Sequence, residues 1–271
     1  MKPRERGFAL LIVLWSMSLI ALIGTQVTAS GRAETRIAAN LRDAAVLEAA
    51  ADAAVNEAAL HLIDRSPAGW HPDGSAHVLR VGTVDVLVRA ESEASKMPLN
   101  TSPNVLITAL VHQLGADTRL ATQIGDEIDN WRNPADFPTG LGAKAPQYRA
   151  AGRDWGPANR PLRSLDELRL LLAMTPELYA LMSPHVSAYS QSAPPERVAD
   201  PLVAHAMREM AGRGLVPLSF DEPPIWHVLA VATNRQGARF VRDAVFQLAT
   251  DQDPASRAVL TLDWRTGADT P

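Results

Sequence analysis

Hydrophobic positions divide the chain into stretches of different period. From Phe8 to Ile23 nearly every residue is apolar, and no charge appears until Arg32. At 1.5 Å per residue, a helix continued through Ser30 spans about 35 Å, enough to cross a bilayer core. Beyond it, Ile37, Leu41, Ala44, Leu47, Ala51, Val55, Ala58 and Leu62 recur at spacings of three and four. That is the stripe of an amphipathic helix, with Arg36, Asp43, Glu48, Asp52 and Glu57 on its other faces. Only Gly24 and Gly31 interrupt, and a single glycine costs about 1 kcal/mol. The two patterns therefore predict one helix from Phe8 to Ile63, about 84 Å long.

The period changes to two after a turn-rich loop from Ser66 to Gly74. Strands are predicted at Val78–Val81 and Thr83–Glu91, with Val84, Val86 and Val88 on one face. Helical spacing returns in Asn104–Gly115 and Arg119–Arg132, followed by a loop carrying Pro134, Pro138, Pro146, Pro157 and Pro161. Ser164 and Glu167 form a capping-box signature, predicting a helix over Leu165–Met174. Thr175-Pro176-Glu177 starts another helix ending at Met182, and Leu202–Met210 reads as one more. Alternation resumes in Trp226–Thr233 and Arg239–Leu248, which flank an Asn234-Arg235-Gln236-Gly237 hairpin turn. In Val259–Trp264, Leu260, Leu262 and Trp264 alternate with Val259, Thr261 and Asp263 as a half-buried strand. The order of elements predicts an α+β fold: a long N-terminal helix packed on an antiparallel sheet, with an all-helical domain inserted. The expected divisions are a leader at 1–7, the helix at 8–63, a first β part at 64–100, the insertion at 101–187, and a connection with the C-terminal β part at 188–271.

Composition narrows the function classes. In 271 residues there is no cysteine, which excludes thiolate catalysis, disulfides and cysteine-held metal. A net charge of −4 argues against a general nucleic-acid binder. The seven histidines, at 61, 71, 77, 112, 185, 205 and 227, show no His-Glu-x-x-His spacing, and there is no phosphate-cradling glycine loop or Gly-x-Ser-x-Gly elbow. His61 and His112 read as packing or surface residues. The acidic run Asp126-Glu127-Ile128-Asp129 reads as a solvated helix end. No enzyme is expected.

The basic leader of Lys2, Arg4 and Arg6 places the N-terminus in the cytoplasm and the bulk of the chain outside. Three readings of the apolar segment remain open at this level. It is a secretory signal cut near Ala29, an uncleaved signal anchor, or a prepilin signal cut between Gly7 and Phe8.

Arg6-Gly7-Phe8 ahead of a long apolar helix resembles the type IV pilin-like proteins. The whole chain resembles the K-type minor pseudopilins of type II secretion, the general secretion pathway protein K family. The resemblance is carried further by Lys96-Met97-Pro98-Leu99-Asn100, by Arg160-Pro161-Leu162-Arg163-Ser164-Leu165-Asp166-Glu167-Leu168 and by Met174-Thr175-Pro176-Glu177-Leu178-Tyr179. It implies cleavage by prepilin peptidase between Gly7 and Phe8, with N-methylation of Phe8. Most pseudopilins carry glutamate at the fifth mature position, where this chain has Ile12, and the K-type subunit is the member lacking that acid. The resemblance implies that the glutamate of an incoming subunit neutralises the new amine of the subunit already in place, so a subunit without a predecessor needs none. The resemblance thus implies a pseudopilus tip subunit that initiates assembly for export of folded proteins. Its implied partners are the I-type and J-type minor pseudopilins, the major pseudopilin, prepilin peptidase and the inner membrane. The alternative is a minor pilin of a type IV pilus or another membrane-anchored periplasmic interaction module.

The resemblance also implies a calcium-associated acidic loop. The matching stretch here is Asn130-Trp131-Arg132-Asn133-Pro134-Ala135-Asp136, with Asp136 the candidate ligand. Lys144 stands in the segment where the family tends to have glutamate. Calcium takes six to eight oxygens, mostly carboxylates. Fewer carboxylates and an added ammonium weaken such a site, so no metal ligand is assigned and no cofactor is expected.

Overall fold

The computed structural model describes residues 3–215, 218–248 and 259–267. The N-terminal helix α1 runs from Pro3 to Ile63 without interruption. Two strands follow, β1 (Asp73–Val81) and β2 (Val84–Ser92), then a two-residue strand β3 (Met97–Pro98). Next come α2 (Asn104–Gln113), α3 (Thr118–Arg132), α4 (Ala145–Ala150), a 3-10 helix over Leu165–Leu170, and α5 (Pro176–Met182). The short strand β4 (Val186–Ser187) pairs in parallel with β3, so the chain leaves for these helices and returns at one place. Helix α6 (Pro201–Ala211) precedes the last three strands, β5 (Ile225–Thr233), β6 (Arg239–Leu248) and β7 (Val259–Thr266).

The main sheet is antiparallel throughout, in the order β1-β2-β5-β6-β7. Its period-two pattern buries Val84, Val86, Val88 and Ala90 of β2 with Val228, Ala230 and Ala232 of β5 on one face. Leu47, Ala51, Ala54, Val55, Ala58 and Leu62 of α1 lie against them. Small residues on both sides let helix and sheet approach closely, and Arg242 of β6 bridges the layers to Glu48 (2.8 Å) and Asp52 (2.5 Å). The Asn234–Gly237 turn closes the β5–β6 hairpin, with Gly237 at φ 84° in the left-handed region glycine tolerates.

The opposite face of the sheet meets the helices through polar groups. Asp243 lies 2.8 Å from the His227 ring and 3.2 Å from Arg265, and Arg265 continues to Asp166 (2.7 Å) and the Ser164 hydroxyl (2.9 Å). A second core holds Leu99, Leu110, Ile124, Ile128, Trp131, Tyr148, Leu168 and Met182. Helix α6 adds Val203, Ala206 and Met210 to it, although in sequence it follows the return through β4. Asn100 pins this region to its base. Its amide donates to the carbonyls of Leu162 (2.9 Å) and Ala188 (2.8 Å), and its oxygen accepts from Leu162 N–H (2.8 Å).

Four expectations are corrected. The helix predicted over Leu165–Met174 is a 3-10 turn ending at Leu170, because the backbone extends at Leu171 and Ala173 N–H reaches Glu127 (3.0 Å). Glu167 does not close a capping box on Ser164; it accepts instead from Arg163 N–H (2.9 Å) and the Trp131 indole (2.8 Å). The proline-rich loop contains α4. In β7, Leu260 and Trp264 do not share a face: a register shift between Val245 and Phe246 sets Leu260 opposite Gln247 and Trp264 opposite Ala244.

Candidate assembly helix and cation loop

Helix α1 changes character along its length. From Leu47 onward its stripe is buried on the sheet, whereas the same stripe at Ile37 and Leu41 lies exposed. Nearer the N-terminus, Phe8, Leu11, Leu14, Trp15, Met17 and Ile20 each expose more than 60% of their surface. So contiguous an apolar surface, on all sides of a helix, is the mark of a surface made for lipid or for other helices. Gly7 sits in α1 just before Phe8, and Ile12 is half exposed among these apolar neighbours. Among the described residues no helix is long and apolar enough to cross a membrane. The span expected through Ser30 includes side chains, at 9, 24 and 26–30, that lie outside that description.

The loop after α3 is organised by buried polar groups. Asp126 accepts from the Asn104 amide (2.8 Å) and Leu141 N–H (2.8 Å). Asn130 accepts from Thr139 N–H (2.9 Å) and donates to the Thr139 carbonyl (3.0 Å). The loop lies so close that a Cβ on Gly140 would come within 2.1 Å of Asp126, and one on Gly142 within 1.9 Å of Asn130. The acidic run at 126–129 is therefore no solvated helix end. Glu127 is 2% exposed and holds Ala173 N–H and the Gln123 amide, and burial pushes its carboxyl above the ordinary glutamate range. Burial likewise raises the Tyr148 hydroxyl, which stands near Glu127.

Lys144 is the centre of this loop. It is 2% exposed, and its ammonium donates to the carbonyls of Asn130 (2.7 Å) and Asn133 (2.6 Å) and to Asn159 Oδ1 (2.8 Å). Burial lowers its pKa, and the charges of Asp136 and Asp129 partly restore it. Asp136, the candidate calcium ligand, is exposed. The oxygens converging at this point are already occupied by an ammonium, and a divalent ion beside it would meet direct repulsion. The residues present do not fit calcium.

The remaining candidates are spread apart. His61 and His77 stack on either side of Trp70, with ring centroids 4.6 and 3.8 Å away. His112 is exposed, and His185 lies 3.0 Å from Asp200. His227 faces a hollow of about 310 Å³ between sheet and helices, lined also by Lys96, Tyr189, Asp243 and Arg265. Its charged groups are held in pairs, Lys96 with Glu93 at 2.6 Å and His227 with Asp243 at 2.8 Å. Among the described residues no three acidic or histidine side chains stand close enough to hold a metal ion. The sequence pattern gave no notice of Arg242 as the tie to α1, since its acids lie about 190 positions away. It flagged Lys144 only as a departure, not as a buried anchor.

Residues 84–191 match the family model "Type II secretion system (T2SS), protein K". Type II secretion system protein K of Klebsiella pneumoniae is 26% identical over 211 residues, covering 69% of this chain and 64% of that protein. Its counterpart from Pectobacterium carotovorum subsp. carotovorum is 25% identical over 213 residues, with the same coverage. The chain thus spans less than two thirds of the length of these relatives. The fold is similar to a chain in the crystal structure of the GspK-GspI-GspJ complex from the type 2 secretion system of enterotoxigenic Escherichia coli. The TM-score is 0.67 at 14% identity, covering 87% of this chain and all of that one.

Proposed function

We propose that this chain is a member of the type II secretion system protein K family and a minor pseudopilin at the periplasmic tip of the secretion pseudopilus. Prepilin peptidase cuts it between Gly7 and Phe8, and Phe8 is then N-methylated. The apolar first half of α1 holds it in the inner membrane and packs with the helices of I-type and J-type minor pseudopilins, so starting a filament that the major pseudopilin extends. Its role in exporting folded proteins across the outer membrane is structural rather than catalytic. The observation that carries this reading is the divided helix α1, whose stripe is spent on the sheet from Leu47 onward and offered outward at Ile37 and Leu41. Ile12, where an incoming subunit would need a carboxylate, supports placement at the tip.

Mass spectrometry of the mature chain, with and without active prepilin peptidase, tests the processing. A chain beginning at N-methylated Phe8 is expected; one beginning near Ser30, or retaining Met1, overturns it. Ile37→Asp with Leu41→Asp should reduce co-purification with the I-type and J-type subunits at least about tenfold, as each buried apolar side chain contributes roughly 1.5–3 kcal/mol. Undiminished co-purification would separate α1 from assembly.

A further inference from the structure

We propose that the Lys144 ammonium is a tethered cation that holds the helical region together in place of a bound metal ion, making the fold of this chain independent of calcium. An ammonium has three donors and no acceptor. Here each donor meets a different oxygen: Asn130 O in the last turn of α3, Asn133 O just beyond it, and Asn159 Oδ1 from the far side of the proline-rich loop. The α3 C-terminus points its uncompensated carbonyls at the cation, where the helix dipole favours positive charge. Asn159 presents its oxygen from the left-handed region, φ 52°, a conformation with a cost that some other contact has to offset. A lysine brings its own charge to the oxygens without a binding equilibrium. One residue thereby joins α3, α4 and the segment before the 3-10 turn. Burial lowers its pKa, while the charges of Asp136 and Asp129 act in the opposite direction, toward the charged form.

The test uses the full chain in detergent and follows thermal unfolding. The wild-type midpoint should be the same in excess chelator and in millimolar calcium chloride, and calorimetric titration with calcium alone should give no saturable binding. A calcium-dependent rise in the midpoint, or saturable binding, overturns the proposal. Lys144→Met keeps the volume and removes the charge, and should lower the midpoint by roughly 4–10 °C; an unchanged midpoint overturns it. Because the chain contains no cysteine, Lys144→Cys carries a single thiol. Alkylating it under denaturing conditions with 2-bromoethylamine forms a C–S bond, expels bromide and leaves a lysine-like ammonium. The refolded product should recover most of the lost midpoint, whereas iodoacetamide, which adds a neutral amide, should not. Equal recovery by both reagents would make Lys144 a packing residue. These readouts are independent of pseudopilus assembly, so either proposal can fail while the other stands.

Discussion

The interior under α1 and the interior of the helical region are filled by opposite means. Between α1 and the sheet the buried residues are apolar and mostly small, Ala51, Ala54 and Ala58 against Val86, Val88, Ala230 and Ala232, with two large rings, Trp226 and Phe246, among them and Arg242 joining the layers. The helical interior holds larger side chains, Trp131, Tyr148 and Met182, and beside them buried Asp126, Glu127, Asn130 and Lys144. The reason lies in where the backbone groups go. A helix on an antiparallel sheet satisfies its N–H and C=O groups within itself, so its interior needs only shape. Residues 133–144 and 151–164 have little regular structure, and their backbone groups must be met by side chains. Asn130 takes Thr139 N–H, Asp126 takes Leu141 N–H, and Glu167 takes Arg163 N–H. Polar residues in the second interior do the work that a ladder does in the first.

The contrast can be broken by mutation. The largest effect is expected for Trp131→Ala, which empties a 2%-exposed site and strips Glu167 of its indole donor. It should cost about 3–5 kcal/mol in urea unfolding of the full chain; a cost below about 1.5 kcal/mol would mean the helical interior is loosely packed. Next comes an asymmetry across the α1–sheet tie. Removing Glu48 and Asp52 together leaves the Arg242 charge buried alone, at about 3 kcal/mol. Arg242→Met leaves two acids that already reach solvent, 52% and 35% exposed, and should cost about 1 kcal/mol. Equal costs would show that shape rather than charge makes the tie.

Ala54→Leu tests the close approach of helix and sheet: with 0% exposure at Ala54, added carbons should cost about 1–3 kcal/mol. A neutral result would mean α1 can lift away. The smallest effects concern pH, and a carboxylate on the far face of the sheet should respond with opposite sign to one in the helical interior. Burial pushes the Asp243 carboxyl up, but His227 and Arg265 more than offset it and hold it below the ordinary aspartate value. Its stabilisation is present above about pH 4 and is lost as pH falls through the depressed pKa. Glu127 is raised by burial, so its contribution is complete below about pH 4 and declines as pH rises through the elevated pKa. Stability against pH for Asp243→Asn should lack the acid-side loss, and for Glu127→Gln it should lack the decline above. Curves identical to wild type would remove these groups from the pH response.

Legibility in the sequence followed the same division. Val84, Val86 and Val88 announced a buried strand face, and the stripe from Leu47 to Leu62 announced the helix that covers it. The acidic run at 126–129 gave the wrong impression, because carboxylates on a helix face water unless a distant segment arrives to use them, and the loop at 139–142 does arrive. In β7, alternation could not foretell the register shift that sends Leu260 and Trp264 to opposite faces. Ser164 caps the turn as its sequence context predicts, accepting from Asp166 N–H at 3.2 Å, but Glu167 is drawn away by Trp131, 36 residues earlier.

What the sequence determined by itself was everything that repeats along the chain. The uncharged helix, the stripe that continues it, the period-two strands and the glycine hairpin turn depend on neighbours a few positions apart, so spacing alone specifies them. What only the tertiary structure decided was which face of α1 is spent and which is left over, where α6 packs, and which polar residues go inside. Lys144 meets Asn130 and Asn159, and Arg242 meets Glu48, across separations that no local period encodes. Such contacts exist because closing the loops leaves buried carbonyls and charges that must find partners, and the partner is whichever side chain the completed fold brings within reach.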